Sequence, residues 1–132
     1  MGKLNGQVAI ITGGARGIGE GICKVFCNEG AMVALWDIMD EGQNTADGIK
    51  DEGGKIIFQN VNVSDQSSVD KAVEKLISEY GKIDILINNA GIIRDRSFLK
   101  MSRDEWDRVI DVNINSLYIT TKAVLPHMKE AK

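Results

Sequence analysis

The sequence predicts an α/β domain: a parallel sheet, doubly wound, with helices on both faces. Three observations predict it. Short apolar runs recur at residues 8–11, 31–36, 55–61 and 83–87, amphipathic stretches of helical spacing separate them, and the first run breaks into a glycine-rich turn. Strict alternation of strand and helix argues for parallel strands joined by crossover helices.

The opening element is Val8-Ala9-Ile10-Ile11-Thr12, followed by Gly13-Gly14-Ala15-Arg16-Gly17-Ile18-Gly19, which reads as strand, turn and helix. Gly13, Gly17 and Gly19 are suited to a tight turn, to backbone passing close to a pyrophosphate, and to a helix packed closely on a sheet. The first helical N–H groups then face an anion. Glycine triplets also arise by chance in surface turns, so the neighbouring elements have to carry the reading. In the first helix Ile18, Ile22, Val25 and Phe26 recur on one expected sheet-facing side, and Gly30 is the expected stop. The run 31–36 suits a strand covered on both faces, and it ends in Asp37. A carboxylate 18 positions past Gly19 can accept hydrogen bonds from the adenosine ribose of a dinucleotide. The alternative is a plain loop aspartate.

Residues 40–53 are polar and interrupted by Gly42 and Gly48, so a helix there has to be stabilised by docking. The third strand, 55–61, leads into Asn62-Val63-Ser64-Asp65, whose last two members are good helix caps. The third helix carries Val69, Ala72, Val73, Leu76, Ile77 and Tyr80 as its apolar stripe, and Gly81 closes it. The fourth strand, 83–87, ends at Asn88-Asn89-Ala90-Gly91. Residues 92–101 form a polar loop in which Arg94, Asp95 and Arg96 would rim a site.

Ser102 and Glu105 then make a capping box opening one long helix, with Trp106, Val109, Ile110, Leu117, Val124, Leu125 and Met128 as its apolar positions. Asn113 falls on that stripe. An asparagine facing a core needs partners or costs about 1 to 3 kcal/mol, so it is either tied into a polar network or placed for chemistry. Pro126 is expected to bend or end the helix.

Composition narrows the class. At 132 residues the chain is one domain by length, and 43% apolar with 27% charged residues describes an ordinary globular protein. Sixteen basic and nineteen acidic residues give a formal charge of −3, with no basic block, so nucleic acid is not an expected partner. No apolar run approaches the roughly 20 residues that span a bilayer, and residues 1–7 contain no signal-peptide core. No membrane partner and a cytoplasmic location are expected. Cys23 and Cys27 fit neither a zinc nor a disulfide-framework spacing, so reduced thiols and no metal site are expected.

These motifs together resemble the N-terminal half of a short-chain dehydrogenase/reductase, and the resemblance covers essentially the whole chain. Thr12-Gly13-Gly14-Ala15-Arg16-Gly17-Ile18-Gly19 matches the family's T-G-x-x-x-G-x-G motif, and Asn88-Asn89-Ala90-Gly91 its N-N-A-G motif. The resemblance implies a Rossmann-type sheet of order 3-2-1-4, truncated after about four strands, with residues 1–132 as the dinucleotide-binding half. It implies that Gly13, Gly17 and Gly19 carry the pyrophosphate turn, joined by Arg16 and Ile18. Asp37 points to NAD over NADP, because a carboxylate repels a 2′-phosphate. Arg16 points the other way, since NADP-using members often carry a basic residue there, but Asp37 weighs more. Asn62-Val63 stands where the family usually has Asp-Val against the adenine, and the amide oxygen of Asn62 can accept from the adenine amino group. Asn89, Ala90 and Gly91 correspond to backbone beside the two riboses.

Asn113 matches the asparagine of the family's catalytic tetrad, which holds a water and orients the lysine. The tetrad's serine, tyrosine and lysine belong to a segment expected to be absent here. Tyr118 and Lys122 have the Y-x-x-x-K spacing, but they follow Asn113 on the same helix with no strand or serine between, and are read as a decoy. The implied activity is NAD(P)-dependent hydride transfer between a carbonyl and a secondary alcohol, as in 3-oxoacyl-carrier-protein reductases or alcohol dehydrogenases. A small-molecule substrate and a homotetramer are implied for the full-length protein. The chain alone is expected to be inactive. Alternative readings are a non-catalytic nucleotide-binding half-domain and an assembly fragment, with dimerisation or aggregation through an open fourth strand.

Overall fold

A computed structural model describes residues 2–92 and 97–130, so the expected rim residues Arg94, Asp95 and Arg96 lie outside the described residues. Four parallel strands form the sheet: β1 (Val8–Thr12), β2 (Met32–Asp37), β3 (Lys55–Asn60) and β4 (Ile85–Ile87). Their order is β3-β2-β1-β4, as expected. The central β1 is buried throughout, with Val8 opposite Met32 and Ala9 opposite Ile85.

Strand alternation sends successive side chains to opposite faces and so builds two cores. Ile10, Ala34 and Trp36 join Val69, Val73, Leu76 and Val124 on one face; Ile11, Val33 and Leu35 join Cys23, Ala46 and Ile49 on the other. The first face is covered by α3 (Gln66–Tyr80) and α5 (Ser116–Glu130), the second by α1 (Gly17–Asn28) and α2 (Gly42–Asp51).

The docked face of α1 differs from expectation. Ile18 is 78% exposed and Val25 57%, while Gly19 and Cys23 are buried and Ile22 and Phe26 partly so. Small residues at Gly19 and Cys23 let the helix axis approach the sheet, which larger side chains would prevent. The same device docks α2: a Cβ at Gly42 would lie 2.4 Å from the Phe58 ring, so this glycine is a packing residue rather than an interruption. Helix α3 follows its stripe, capped by Asp65, whose Oδ1 accepts from Ser67 N at 3.1 Å, and closed at Gly81.

β4 is shorter than the run 83–87. At its expected start the Asp84 carboxylate takes over the ladder, accepting from Val8 N at 2.8 Å while Asp84 N donates to Val8 O. Ile83 remains fully buried outside the strand.

The expected single long helix is three segments: α4 (Arg103–Ile110), a π-helical turn (Asp111–Asn115) and α5. Ser102 and Glu105 form the capping box. The extra residue of a π turn rotates the remainder of the helix by about 100°, which breaks the stripe extrapolated from a regular helix. Trp106, Leu117 and Leu125 are exposed; Val124 is buried as expected, and Val112, Ser116 and Thr120 are buried with it. Pro126 does not end the helix, which continues to Glu130. Among the described residues no helix is long and apolar enough to cross a membrane.

Cys23 lies beneath the glycine turn; a Cβ on Gly14 would come within 3.1 Å of its Sγ. Burial first, then the nearby Cys27 and Glu20, pushes its thiol from 9.0 to about 12. A raised pKa means the unfolded chain releases this proton before the folded one does. Stability is therefore complete below about pH 9 and falls as pH rises from there towards 12. Urea unfolding midpoints should drop across that window, and Cys23→Ala should flatten the drop.

Candidate functional site

The carboxyl ends of the strands surround a cleft of about 520 Å³. Gly13, Arg16, Gly17, Ile18, Asp37, Asn62, Val63, Asn89, Ala90 and Gly91, separate in sequence, all line it. Gly19 does not line the cleft. Trp36, Ile38, Arg108 and Val112 line it as well, and none of these belonged to a motif.

The glycine turn is built by three different constraints. Gly13 has φ +66° and passes so close to the Asn89-Ala90 backbone that a Cβ would lie 2.9 Å from Ala90 Cα. Gly17 has φ +63° with open space where a side chain would be, so its requirement is conformational. A Cβ on Gly19 would lie 2.1 Å from Gly13 O. Arg16 precedes α1 in extended conformation with no side-chain cap, its side chain exposed at the cleft.

Not every amide of the turn faces the cleft. Gly14 N donates to Trp36 O, and Ala15 N donates to Asp37 Oδ2 at 3.1 Å, so both point towards β2. The helical ladder of α1 starts with Glu20 N on Arg16 O; the amides of Gly17, Ile18 and Gly19 precede it and have no partner among the described residues. Such a helix start attracts an anion. Thr45 Oγ1 donates to Ala15 O at 2.6 Å, so the Ala15 peptide is held from both sides.

Asp37 is therefore more than a terminal loop residue. Its Oδ2 holds Ala15 and its Oδ1 accepts from Met39 N at 2.9 Å, tying the turn to the end of β2. Each carboxylate oxygen has a further lone pair for a hydroxyl donor. Asn62 differs from the expected arrangement: its Oδ1 already accepts from Ser64 N at 3.0 Å and Ser64 Oγ at 2.6 Å. That leaves its NH₂ as the group free to face a base.

Thr12 joins the two motifs. Its Oγ1 accepts from Asn89 N and Ala90 N, both at 2.9 Å, and Asn89 Nδ2 donates to Gly13 O at 3.1 Å. Thr120 Oγ1 donates to Asn88 Oδ1 at 2.7 Å, fastening the same segment to α5. Asn113, in the π turn, does not line the cleft. Its Oδ1 accepts from Ile92 N at 2.7 Å and its Nδ2 donates to Ile92 O at 2.9 Å, which pins the chain leaving β4. The Asn113 side chain is thus tied into a polar network. Tyr118 is 66% exposed with Lys122 Nζ 5.8 Å from its ring centre, and neither residue lines the cleft.

Residues 7–132 match the family model described as short chain dehydrogenase. The chain belongs to the short-chain dehydrogenase family. It is 44% identical over 130 residues to a Chlamydia pneumoniae protein named 3-oxoacyl-[acyl-carrier-protein] reductase FabG, covering 98% of this chain and 52% of that protein. It is 46% identical over 132 residues to oxidoreductase UcpA of Salmonella typhimurium, covering 100% of this chain and 50% of that protein. A crystal structure of a short-chain dehydrogenase/reductase from Burkholderia xenovorans superposes with a TM-score of 0.94 at 28% identity, covering 99% of this chain and 54% of that one. The chain thus spans about half the length of the curated relatives it matches.

Proposed function

We propose that this short-chain dehydrogenase chain binds a nicotinamide dinucleotide in the cleft, NAD in preference to NADP, and forms the cofactor half of an oxidoreductase. The complete enzyme would interconvert a carbonyl and a secondary alcohol, with 3-oxoacyl thioesters the substrate class suggested by the name of the Chlamydia pneumoniae relative. The observation that carries the proposal is the set of amides at the start of α1 that have no partner among the described residues, with Gly17 and Ile18 lining the same cleft as Asp37. In this reading those amides and Arg16 neutralise a diphosphate, Asp37 accepts from the adenosine ribose, and Asn62 and Val63 face the base. Asn89, Ala90 and Gly91 supply backbone beside the riboses. The bound dinucleotide would supply or receive the hydride. Asn113 is a positioning residue, holding the Ile92 backbone so that the segment beside the nicotinamide end stays in place.

Binding without turnover is a second reading for this chain. It is favoured by Tyr118 and Lys122, which stand outside the cleft, so that no described tyrosine is placed to exchange a proton there. A homo-oligomer is proposed for the complete protein, supported by the exposed Ile114, Leu117 and Leu125 of the α4–α5 face. A cytoplasmic location is proposed with it, in keeping with two free cysteines.

Fluorescence titration with NADH and NADPH tests the cofactor proposal. NADH should bind more tightly, and Asp37→Asn should move the preference towards NADPH by roughly tenfold, since removing one charge near a 2′-phosphate is worth about 1 to 4 kcal/mol. Tighter binding of NADPH by the unaltered chain would overturn the NAD assignment; no binding of either would overturn the function.

A further inference from the structure

The cleft contains a cation that no motif accounts for. Arg108 lines it from α4, one helical turn before Val112, which lines it too. Residues four apart share a helix face, so the two form one wall. The wall stands at a definable place. Thr120 is bonded to Asn88 just past β4, and Val124 lies in the core, so earlier residues of the same helix climb beyond the carboxyl ends of the strands. The cleft is also lined by Val61, Asn62 and Val63 after β3 and by Ile38 after β2. The unpartnered amides of α1 belong to the glycine turn, after the central strand.

Arg108 is also unoccupied by other charges. On the same helix Arg103 pairs with Asp107 at 2.9 Å, whereas Arg108 is exposed and has no ion pair among the described residues. A planar guanidinium is weakly hydrated and stacks on aromatic faces. Val61, Val63, Ile38 and Val112, which line the same cleft, are apolar, which suits the flat face of a ring better than a phosphate.

We propose that Arg108 is a cofactor-binding residue whose guanidinium lies against the purine ring, forming one face of the base slot. This rests on the cleft being a dinucleotide site. The guanidinium contributes through its plane and its polarisability, so an aromatic ring can stand in for it and a compact ammonium cannot.

The test uses the 132-residue chain with NADH as probe and adenosine, which carries the ring without phosphate, as competitor. Arg108→Ala should weaken NADH about tenfold and adenosine by a similar factor, with an unchanged far-ultraviolet circular dichroism spectrum and melting temperature. Arg108→Phe should restore most of the affinity and Arg108→Lys little of it. Three outcomes would overturn the proposal: Arg108→Ala binding NADH as tightly as the unaltered chain, a loss for NADH without a loss for adenosine, or full rescue by lysine alone. The last two would mark a phosphate contact instead. Failure of the unaltered chain to bind either dinucleotide would overturn the cofactor reading itself, and is distinguishable because no variant is needed to see it.

Discussion

Gly19→Ala is expected to abolish measurable dinucleotide binding and to destabilise the chain by about 3 kcal/mol or more. The added Cβ would sit 2.1 Å from Gly13 O and 2.6 Å from Asn89 Nδ2. Both belong to parts that cannot move independently: Gly13 is locked by Asn89, and Asn89 by Thr12. Overpacking of about 1 to 3 kcal/mol in an adaptable core becomes a displacement of α1 where the opposing atom is backbone. The unpartnered amides at the start of α1 then lose their aim, and binding goes with them. Gly21→Ala is the matched control. It lies in the same helix, its Cβ would meet nothing within 4 Å, and alanine favours a helix interior by about 1 kcal/mol. The first variant should melt well below the unaltered chain and the second at or above it. Equal melting temperatures for the two would refute the close-packing account of the motif.

Asn113→Ala is expected to cost about 2 to 4 kcal/mol, because both the N–H and the C=O of Ile92 lose their partner. The loss should be local first. Hydrogen exchange at the Ile92 amide should accelerate before the β1 amides do, and dinucleotide affinity should fall as the Asn89-Ala90-Gly91 segment loosens. Asn113→Asp separates hydrogen bonding from shape. Its carboxylate can accept from Ile92 N but turns a second acceptor towards Ile92 O, while the protonated acid can donate there. Its folded-state pKa should therefore be raised, and the variant should regain stability as pH falls towards 4. A variant equally stable at pH 7 and pH 4 would show that the paired geometry does not matter.

Much of the site was legible because it is local chemistry. The residues of the glycine turn, Asp37 and the Asn-Asn-Ala-Gly segment each announce a backbone geometry or a charge at the end of a strand, and parallel strands bring their carboxyl ends together. Helix caps at Asp65 and Ser102 are equally local, depending on side chains within three residues. Arg108 was not legible. In sequence it is one charged residue among several on an exposed helix, and only the placement of α4 beyond the sheet brings it to the cleft. The true buried face of that helix was hidden for a related reason, since a π turn at Asp111–Asn115 shifts the phase that periodicity assumes to be constant.

Sequence alone determined the alternation of strands and helices, the order of the sheet through its family motifs, and the chemical character of the glycine turn. These rest on hydrogen bonding and steric limits within a few residues, which any chain carrying them must obey. Tertiary structure decided which amides stay open and that Asp37 braces the loop it faces. It also decided that Asn62 turns its oxygen to Ser64 and that Asn113 holds Ile92 rather than lining the cleft. The physical reason is competition for partners. A polar group's neighbours are set by every element packed around it, and only the folded chain brings those elements together.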